Sequence, residues 1–353
     1  MPLDLAAGSA ALTRALVDVE SVSGGEAPLA DAIEAALAGI PHLEVVRDGD
    51  AVVARTALGR ASRVVIAGHI DTVPVNGNLP GRLDGDVLWG RGTVDMKGGC
   101  AVMLALAAEL ADPAVDVTWV WYDQEEVDSD RNGLGRLVRT RPELLAADFA
   151  VLCEPTSAEV EGGCNGTLRV DVTTRGRRAH SARAWMGENA IHAAAPILDR
   201  LAAYAPAEVE VDGLVYREGL NAVLISGGVA TNVIPDECRV HVNYRFAPSR
   251  TGTEALAHVE EVFAGFEVSV ADLAEGARPG LDSPLAADFL AAVGGEARPK
   301  YGWTDVARFT ALGIPAVNYG PGDPSLAHAD DEHVSLAEVE RCERGLRAWL
   351  TRR

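Results

Sequence analysis

The run Val115-Asp116-Val117-Thr118-Trp119-Val120-Trp121-Tyr122-Asp123-Gln124-Glu125-Glu126 decides the fold. Its apolar stretch is nearly continuous rather than alternating, which predicts a strand covered on both faces, as in a sheet layered between helices. The strand ends in two adjacent carboxylates, Glu125 and Glu126. Comparable tips occur elsewhere: GHIDTVP carries His69 and Asp71, and VLCEPT carries Glu154. Asp95 sits in the glycine-bracketed turn GRGTVDMKGG, and His328 in AHADDE. Carboxylates and imidazoles delivered by separate segments suit a pair of divalent metal ions that activate water.

Working outward, helix and strand signals alternate through the first 155 residues. Leu29, Ile33 and Leu37 recur at helical spacing, as do Leu12 and Leu16, with Ser9 as the expected N-cap. Short β-branched runs follow at 43–47, 51–55 and 63–68, and a helix is expected after Lys97-Gly98-Gly99, through Leu110. Phe149–Cys153 reads as another buried strand. This is an α/β layer architecture. From Thr167 the rhythm changes: Leu168, Val170 and Val172 alternate with Arg169 and Asp171, a half-buried strand. One helix over 189–204, strands at 222–226 and 238–246, a helix over 251–264 and a strand at 266–270 complete the order βαββαβ, a ferredoxin-like module. After Pro279 the α/β pattern resumes and closes with a helix over 336–350. The expected organisation is therefore a discontinuous domain, 1–164 plus 278–353, interrupted by a smaller one at 165–277.

Composition narrows the function classes. The chain has 353 residues, 48% hydrophobic and 24% charged, ordinary for a globular protein. A net charge of −21 argues against a nucleic-acid partner, because phosphate binding needs basic surface. The longest apolar stretch, near Gly98–Leu110, is too short to span a bilayer. No basic n-region opens an apolar core at the start of the sequence, so a cytoplasmic location is expected. The five cysteines show no C-x-x-C spacing and read as free thiols in a reducing compartment.

Taken singly, each chemical candidate has a plain structural alternative. His69 and Asp71, two residues apart on extended chain, share one face, so Asp71 can accept the second imidazole N–H and fix its tautomer. Asp95 either presents one carboxylate to two ions or caps the helix that follows. Glu125 and Glu126 cannot both point one way on a strand, so one can bind metal while the other faces water. Glu154, before Pro155, is biased to extended backbone at a strand tip. The loop 328–332, with Asp330, Asp331 and Glu332, also reads as a charged surface loop. GRGTVD lacks the third glycine of a dinucleotide fingerprint, and no G-x-S-x-G nucleophile elbow exists. Within the acidic chain, residues 165–185 form a basic island: Arg169, Arg175, Arg177, Arg178 and Arg183 around His180. Arg245 is a further cation on an apolar strand. Arginine grips carboxylates bidentately, so the island suggests an anionic ligand.

Together, GHIDTVP, GRGTVDMKGG, the Glu125-Glu126 pair, CEPT, RRAHSA, TNVIPD and HADDE resemble the di-zinc amidohydrolase and metallopeptidase family of aminoacylases, acetylornithine deacetylases and desuccinylases. The resemblance runs over nearly the whole chain. It implies a zinc-aminopeptidase-like catalytic domain, a mixed sheet flanked by helices, with an inserted ferredoxin-like lid through which a homodimer forms. It also implies two Zn2+ per subunit, with Co2+ or Mn2+ as substitutes. Asp95 would bridge them, His69 and Glu154 completing one site, Glu126 and His328 the other. Glu125 would be general base and Asp71 its support. His180, from a partner's lid, would steady the oxyanion, while Asn232, Arg245 and Arg178 would bind a small anionic N-acyl amino acid. HSARAW, NGTLRVDV and KYGWTDVARF look most like the actinobacterial desuccinylase branch, which implies hydrolysis of N-succinyl-LL-2,6-diaminopimelate. Alternatives are an N-acetylornithine or other N-acyl amino acid deacylase and, in a different class, a non-catalytic metal-binding dimer. His333 stands where relatives often carry an aromatic residue.

Overall fold

The computed structural model describes residues 2–352 and divides into two compact units. The larger comprises Met1–Gly162, Pro279–Arg298 and Arg308–Arg353; the smaller comprises Gly163–Arg278 and Pro299–Ala307. The boundaries differ from the expected 165–277 chiefly by the second segment. Residues 299–307 join the smaller unit because Asn165 N–H donates to Lys300 O at 3.2 Å and Trp303 Nε1 to Glu275 O at 3.0 Å.

An eight-stranded mixed sheet organises the larger unit. In spatial order its strands are Glu44–Asp48, Ala51–Arg55, Asp116–Tyr122, Arg63–His69, Phe149–Leu152, Ala316–Asn318, Glu161–Gly162 and Arg298–Pro299. The four central strands run parallel, with His69 in register with Tyr122 and Ala67 with Leu152. Every residue of Asp116–Tyr122 is buried, as the unbroken apolar run requires of a strand covered on both faces. The helix Gly98–Glu109 is buried from Gly98 to Ala107, the signature of a helix enclosed on all sides. Its first turn lies so close to the Phe149–Leu152 strand end that a Cβ on Gly99 would sit 2.3 Å from Cys153 O. Only glycine permits that approach.

Local signals were partly overridden. The first helix is Gly8–Val17, and Ser9 lies inside it rather than capping it; Asp4 caps the preceding single turn Leu5–Ala7. Three short strands, Arg82–Asp84, Val87–Trp89 and His333–Ser335, form a separate small sheet. The His333 ring stacks on Trp89 there at 4.1 Å, and Arg82 lies 5.1 Å from the Trp89 ring.

The smaller unit, taken by itself, has four antiparallel strands: Gly166–Arg175, Gly219–Gly227, Glu237–Phe246 and Glu267–Ala274. They lie in the order second, third, first, fourth, the ferredoxin-like arrangement. Helices Ala195–Ala203 and Gly252–Val262 contribute Ile197, Ala255 and Val259 to the core beneath Leu168, Val170 and Val172. The helix expected over 189–204 breaks at Ala194, because Pro196 fits only the first turn of a new helix. Thr251 and Glu254 form a reciprocal capping box. A hairpin, Glu208–Val211 with Leu214–Arg217, is an addition that the alternation pattern missed.

Phe289 anchors an aromatic cluster in the larger unit, with Phe149, Tyr319 and Trp349 rings at 6.0, 5.3 and 4.9 Å. Phe289→Ala is predicted to cost about 3–5 kcal/mol of stability by opening a cavity the neighbours cannot refill, read as a lower urea midpoint at unchanged slope.

Candidate active site

Three parallel strands end side by side, and their carboxyl ends carry the candidate residues, the place where open α/β sheets gather function. His69 is the last residue of Arg63–His69 and is 1% exposed. Asp71 follows two residues on, fully buried. Glu125 and Glu126 lie beyond Tyr122 in irregular backbone, not on the strand itself. Gln124 takes a left-handed φ of 57° there, so the turn, and not the strand pleat, sets the directions of the two glutamates.

Buried carboxylates hold this turn by its main-chain N–H groups. Asp71 Oδ1 accepts from Glu125 N at 3.0 Å, and Asp71 Oδ2 from Glu126 N at 3.1 Å and from Ser23 Oγ at 2.7 Å. Glu26 Oε1 accepts from Gln124 N at 3.1 Å. Burial raises the Asp71 pKa, but the His69 hydrogen bond and those from Glu125 N and Ser23 outweigh it, and the net direction is down. Glu26 goes the other way: burial raises its pKa from the ordinary glutamate value. Asp71 thus supports both His69 and the glutamates. The nearer partner of His69 Nδ1 is the Asp71 main-chain O, at 3.1 Å, with Asp71 Oδ1 at 3.4 Å.

Asp95 occupies the turn Thr93–Lys97, where Asp95 and Met96 have non-helical backbone and the peptide bond between them is cis. Gly92 enters the turn at φ 83°, with Thr72 Cγ2 2.8 Å from where a Cβ would be, so a side chain is excluded twice over. Asp95 does not cap the following helix, whose N-cap is Lys97. Instead its two oxygens face two imidazoles: Oδ1 lies 3.0 Å from His69 Nε2, and Oδ2 3.4 Å from His328 Nε2. His328 Nε2 in turn lies 2.9 Å from Glu126 Oε1. His328 reaches that position from a left-handed backbone, φ 65°.

Ligand atoms of His69, Asp95 and Glu126 all fall within 4.8 Å of one another. Imidazole plus carboxylate is a donor set for a borderline divalent cation such as zinc, so the residues fit a metal. Glu154, 6% exposed, lies two residues past the strand Phe149–Leu152 and is not one of those three.

The electrostatics carry the same message. Burial alone would lower the His69 pKa, but hydrogen bonds to Asp71 and Asp95 raise it well above the ordinary imidazole value. His328, hydrogen-bonded to Asp95 and Glu126, is pushed up to about 10. For Asp95, burial is opposed by His328 and His69, which drive its pKa far down. The carboxylates attract positive charge here, and a metal must displace the protons.

Sequence reasoning missed two supporting acids. Glu332 is 1% exposed and belongs to no surface loop: Oε1 accepts from Val94 N at 2.9 Å and Asp95 N at 3.2 Å, and Oε2 from Arg91 Nη1 at 2.9 Å. Glu26 is the other. Its signal was an acid inside SVSGGE, a segment whose Ser23 reaches Asp71.

In the smaller unit, His180 and Asn232 come together: the strand Ala179–His180 pairs with Val233–Ile234, and Ser181 N donates to Asn232 O at 2.9 Å. His180 is exposed, its Nδ1 accepting from Ala182 N at 3.1 Å. The basic island is largely neutralised, with Arg178 on Asp236 at 2.6 Å, Arg177 on Glu188 at 3.3 Å and Arg175 on Glu237 and Glu267. Arg245 differs. Half-buried, with its pKa lowered by burial and by Arg169, it has no ion pair among the described residues.

Residues 65–352 match the model of peptidase family M20/M25/M40. A Corynebacterium glutamicum protein named succinyl-diaminopimelate desuccinylase is 49% identical, covering 99% of this chain and 98% of its own. A Mycobacterium tuberculosis protein given that name provisionally is 55% identical over 99% of both chains. Among solved structures, an M20 family metallo-carboxypeptidase from Sulfolobus solfataricus superposes with a TM-score of 0.77 at 16% identity, over 97% of this chain and 98% of that one. The aminopeptidase PepT of Bacillus cereus gives 0.76 at 17% identity, over 99% and 98%. These last two show the fold.

A pH dependence follows. The raised His328 pKa makes a favourable contribution to metal-free stability that is fully present below about 6.5 and is lost as pH climbs through about 10. Metal-free protein should therefore unfold at progressively lower denaturant between those limits. Near pH 7.5, metal uptake should release protons, detected as a binding enthalpy that changes with the ionisation enthalpy of the buffer.

Proposed function

The chain belongs to peptidase family M20/M25/M40 and is a metal-dependent amide hydrolase, and from that premise we propose that it is a succinyl-diaminopimelate desuccinylase. The reaction is N-succinyl-LL-2,6-diaminopimelate plus water giving succinate and LL-2,6-diaminopimelate. The observation that carries this reading is the line of contacts His69–Asp95–His328–Glu126, with Glu125 held beside it by Asp71, in a chain alike over nearly its full length to desuccinylases.

His69, Asp95, Glu126, Glu154 and His328 would hold two Zn2+, with Asp95 offering one oxygen on the His69 side and the other on the His328 side. Bound divalent ions supply Lewis-acid polarisation of the scissile carbonyl and of water. Glu125 takes the proton from the attacking water and passes it to the nitrogen as the C–N bond breaks, so the amine leaves neutral. Asp71 fixes Glu125 through its main-chain N–H, and its lowered pKa makes it a poorer base than an ordinary carboxylate. His180, reaching in from the smaller unit of a partner protomer, would donate to the oxyanion, and Asn232 would orient the substrate. Arg245, with no acid upon it, would take a substrate carboxylate; Arg178 would first have to give up Asp236.

A homodimer through the smaller unit is supported by the edge strand Gly219–Gly227. Its residues 221–227 are exposed, among them Val223, Leu224 and Ile225 at 64%, 59% and 48%. A long apolar edge with unpaired backbone groups is a template for pairing with another chain. Among the described residues no helix is long and apolar enough to cross a membrane, and a cytoplasmic location is part of the proposal.

Glu125→Ala should lower turnover by about 10²–10⁴-fold while zinc content, read by atomic absorption, stays at the wild-type level. Preference for N-acetylornithine over N-succinyl-LL-2,6-diaminopimelate by the wild type would shift the assignment to a deacetylase. Leu224→Lys should move the dimer to monomer in light scattering after size exclusion; an unchanged mass would remove this strand from the interface.

A further inference from the structure

Two loops that carry candidate ligands are tied together by one buried ion pair. Arg91, 3% exposed, begins the turn that leads to Asp95; Glu332, 1% exposed, lies four residues beyond His328. Their side chains meet at 2.9 Å, and the same Arg91 Nη1 donates to Ala329 O at 3.2 Å, next to His328. The other Glu332 oxygen accepts both Val94 N and Asp95 N. Gly90 N donates to Glu332 O at 3.0 Å, closing the link through the main chain as well.

We propose that Arg91 and Glu332 are positioning residues that clamp the Asp95 turn to the His328 loop, presetting the distance between these two ligands before a cation arrives. The proposal rests on the metal-site reading above. A buried ion pair gives little net stability compared with apolar side chains of the same size, so stability alone is a weak account of this one. Its hydrogen bonds are aimed at specific atoms: the N–H of Asp95, the N–H before it, and the carbonyl beside His328. A carboxylate accepting two successive N–H groups fixes the peptide plane from which the Asp95 side chain departs. Without that anchor, Asp95 can still rest on His69, which approaches from the sheet at 3.0 Å. Its second oxygen, 3.4 Å from His328, depends on the two loops staying in register.

The clamp therefore acts unequally on the two cation positions. The one shared by Asp95, Glu126 and His328 needs it, whereas the one that includes His69 is braced by the strand. Outer partners of metal ligands typically contribute about 10- to 100-fold in affinity.

The test is a titration of metal-free protein with Co2+, followed by calorimetry and visible absorption, for wild type and Glu332→Gln. The glutamine keeps size and shape but turns one acceptor into a donor facing either the Asp95 turn or Arg91. Expected is a roughly 10- to 100-fold weakening of one equivalent, the same one abolished by His328→Ala, with the other unmoved. Wild-type affinity at both equivalents, or an equal loss at both, overturns the clamp. A wild-type chain that takes up no Co2+ at all marks failure of the metal reading itself and takes the proposal with it. Should Glu332→Gln not fold, amide exchange in the metal-free wild type decides: slow exchange at Val94 and Asp95 supports the clamp, and exchange at the rate of an unstructured chain overturns it.

Discussion

Carboxylates of like charge are crowded beside the tips of three parallel strands, and the turns that follow those tips answer that crowding. Asp71, Asp95 and Glu126, all largely buried, lie around a buried His69 and a half-exposed His328, where charge repulsion is less screened than at the open surface. Opposite charge is supplied in two forms. Imidazoles stand where divalent cations would draw on the same oxygens, and main-chain N–H dipoles converge on Asp71, Glu26 and Glu332. Asp71, Glu26 and Glu332 are each engaged by main-chain N–H groups, which offsets part of that repulsion.

This division of labour explains why strands and turns play different parts. The sheet brings the segments to one edge: register fixes His69 opposite Tyr122 and Ala67 opposite Leu152 to the residue. It cannot choose side-chain directions beyond the last paired residue. There the turns take over, with left-handed backbone at Gln124 and His328 and a glycine at 92 that no other residue could replace. Left-handed backbone is unfavourable for the two residues that are not glycine, and at Gln124 it is held by the buried Glu26 carboxylate that accepts its N–H. Placement is thus set by hydrogen bonds to the main chain more than by the rotamers of the ligands.

What the sequence made legible follows from the same distinction. The apolar runs of the sheet read directly, since burial on both faces leaves no polar residue at all along Val117–Tyr122 except Thr118, itself hydrogen-bonded to Arg63. His69, Glu126 and Glu154 were legible because they follow those runs, and the order of motifs, with Asp95 and His328 in theirs, disclosed the family. Glu332 was not, because an acid following Asp330 and Asp331 has the composition of solvated surface; only the tertiary approach of the Asp95 turn buries it. Ser9 failed as a cap for a related reason. Asp4 had already started the chain into a single helical turn, so the next helix needed no fresh cap. The break at Ala194 was visible in Pro196, and the apolar spacing across it hid the signal.

The arginines of the smaller unit show how far charge counting reaches. A run of five arginines in an acidic chain suggested a site for an anion, yet most of them meet glutamates and aspartates from neighbouring strands and turns. Local excess in sequence was partly balanced in space. Exposed pairs of that kind contribute roughly 0–1 kcal/mol each, so they are cheaply exchanged and carry little specificity. A half-buried guanidinium with no acid beside it is different in kind. Arg245 has lost some of its hydration without acquiring a counter-charge, and a carboxylate ligand would restore what folding removed. The informative cation is therefore the half-buried one without a counter-charge, and the exposed arginines of the basic run pair with surface acids.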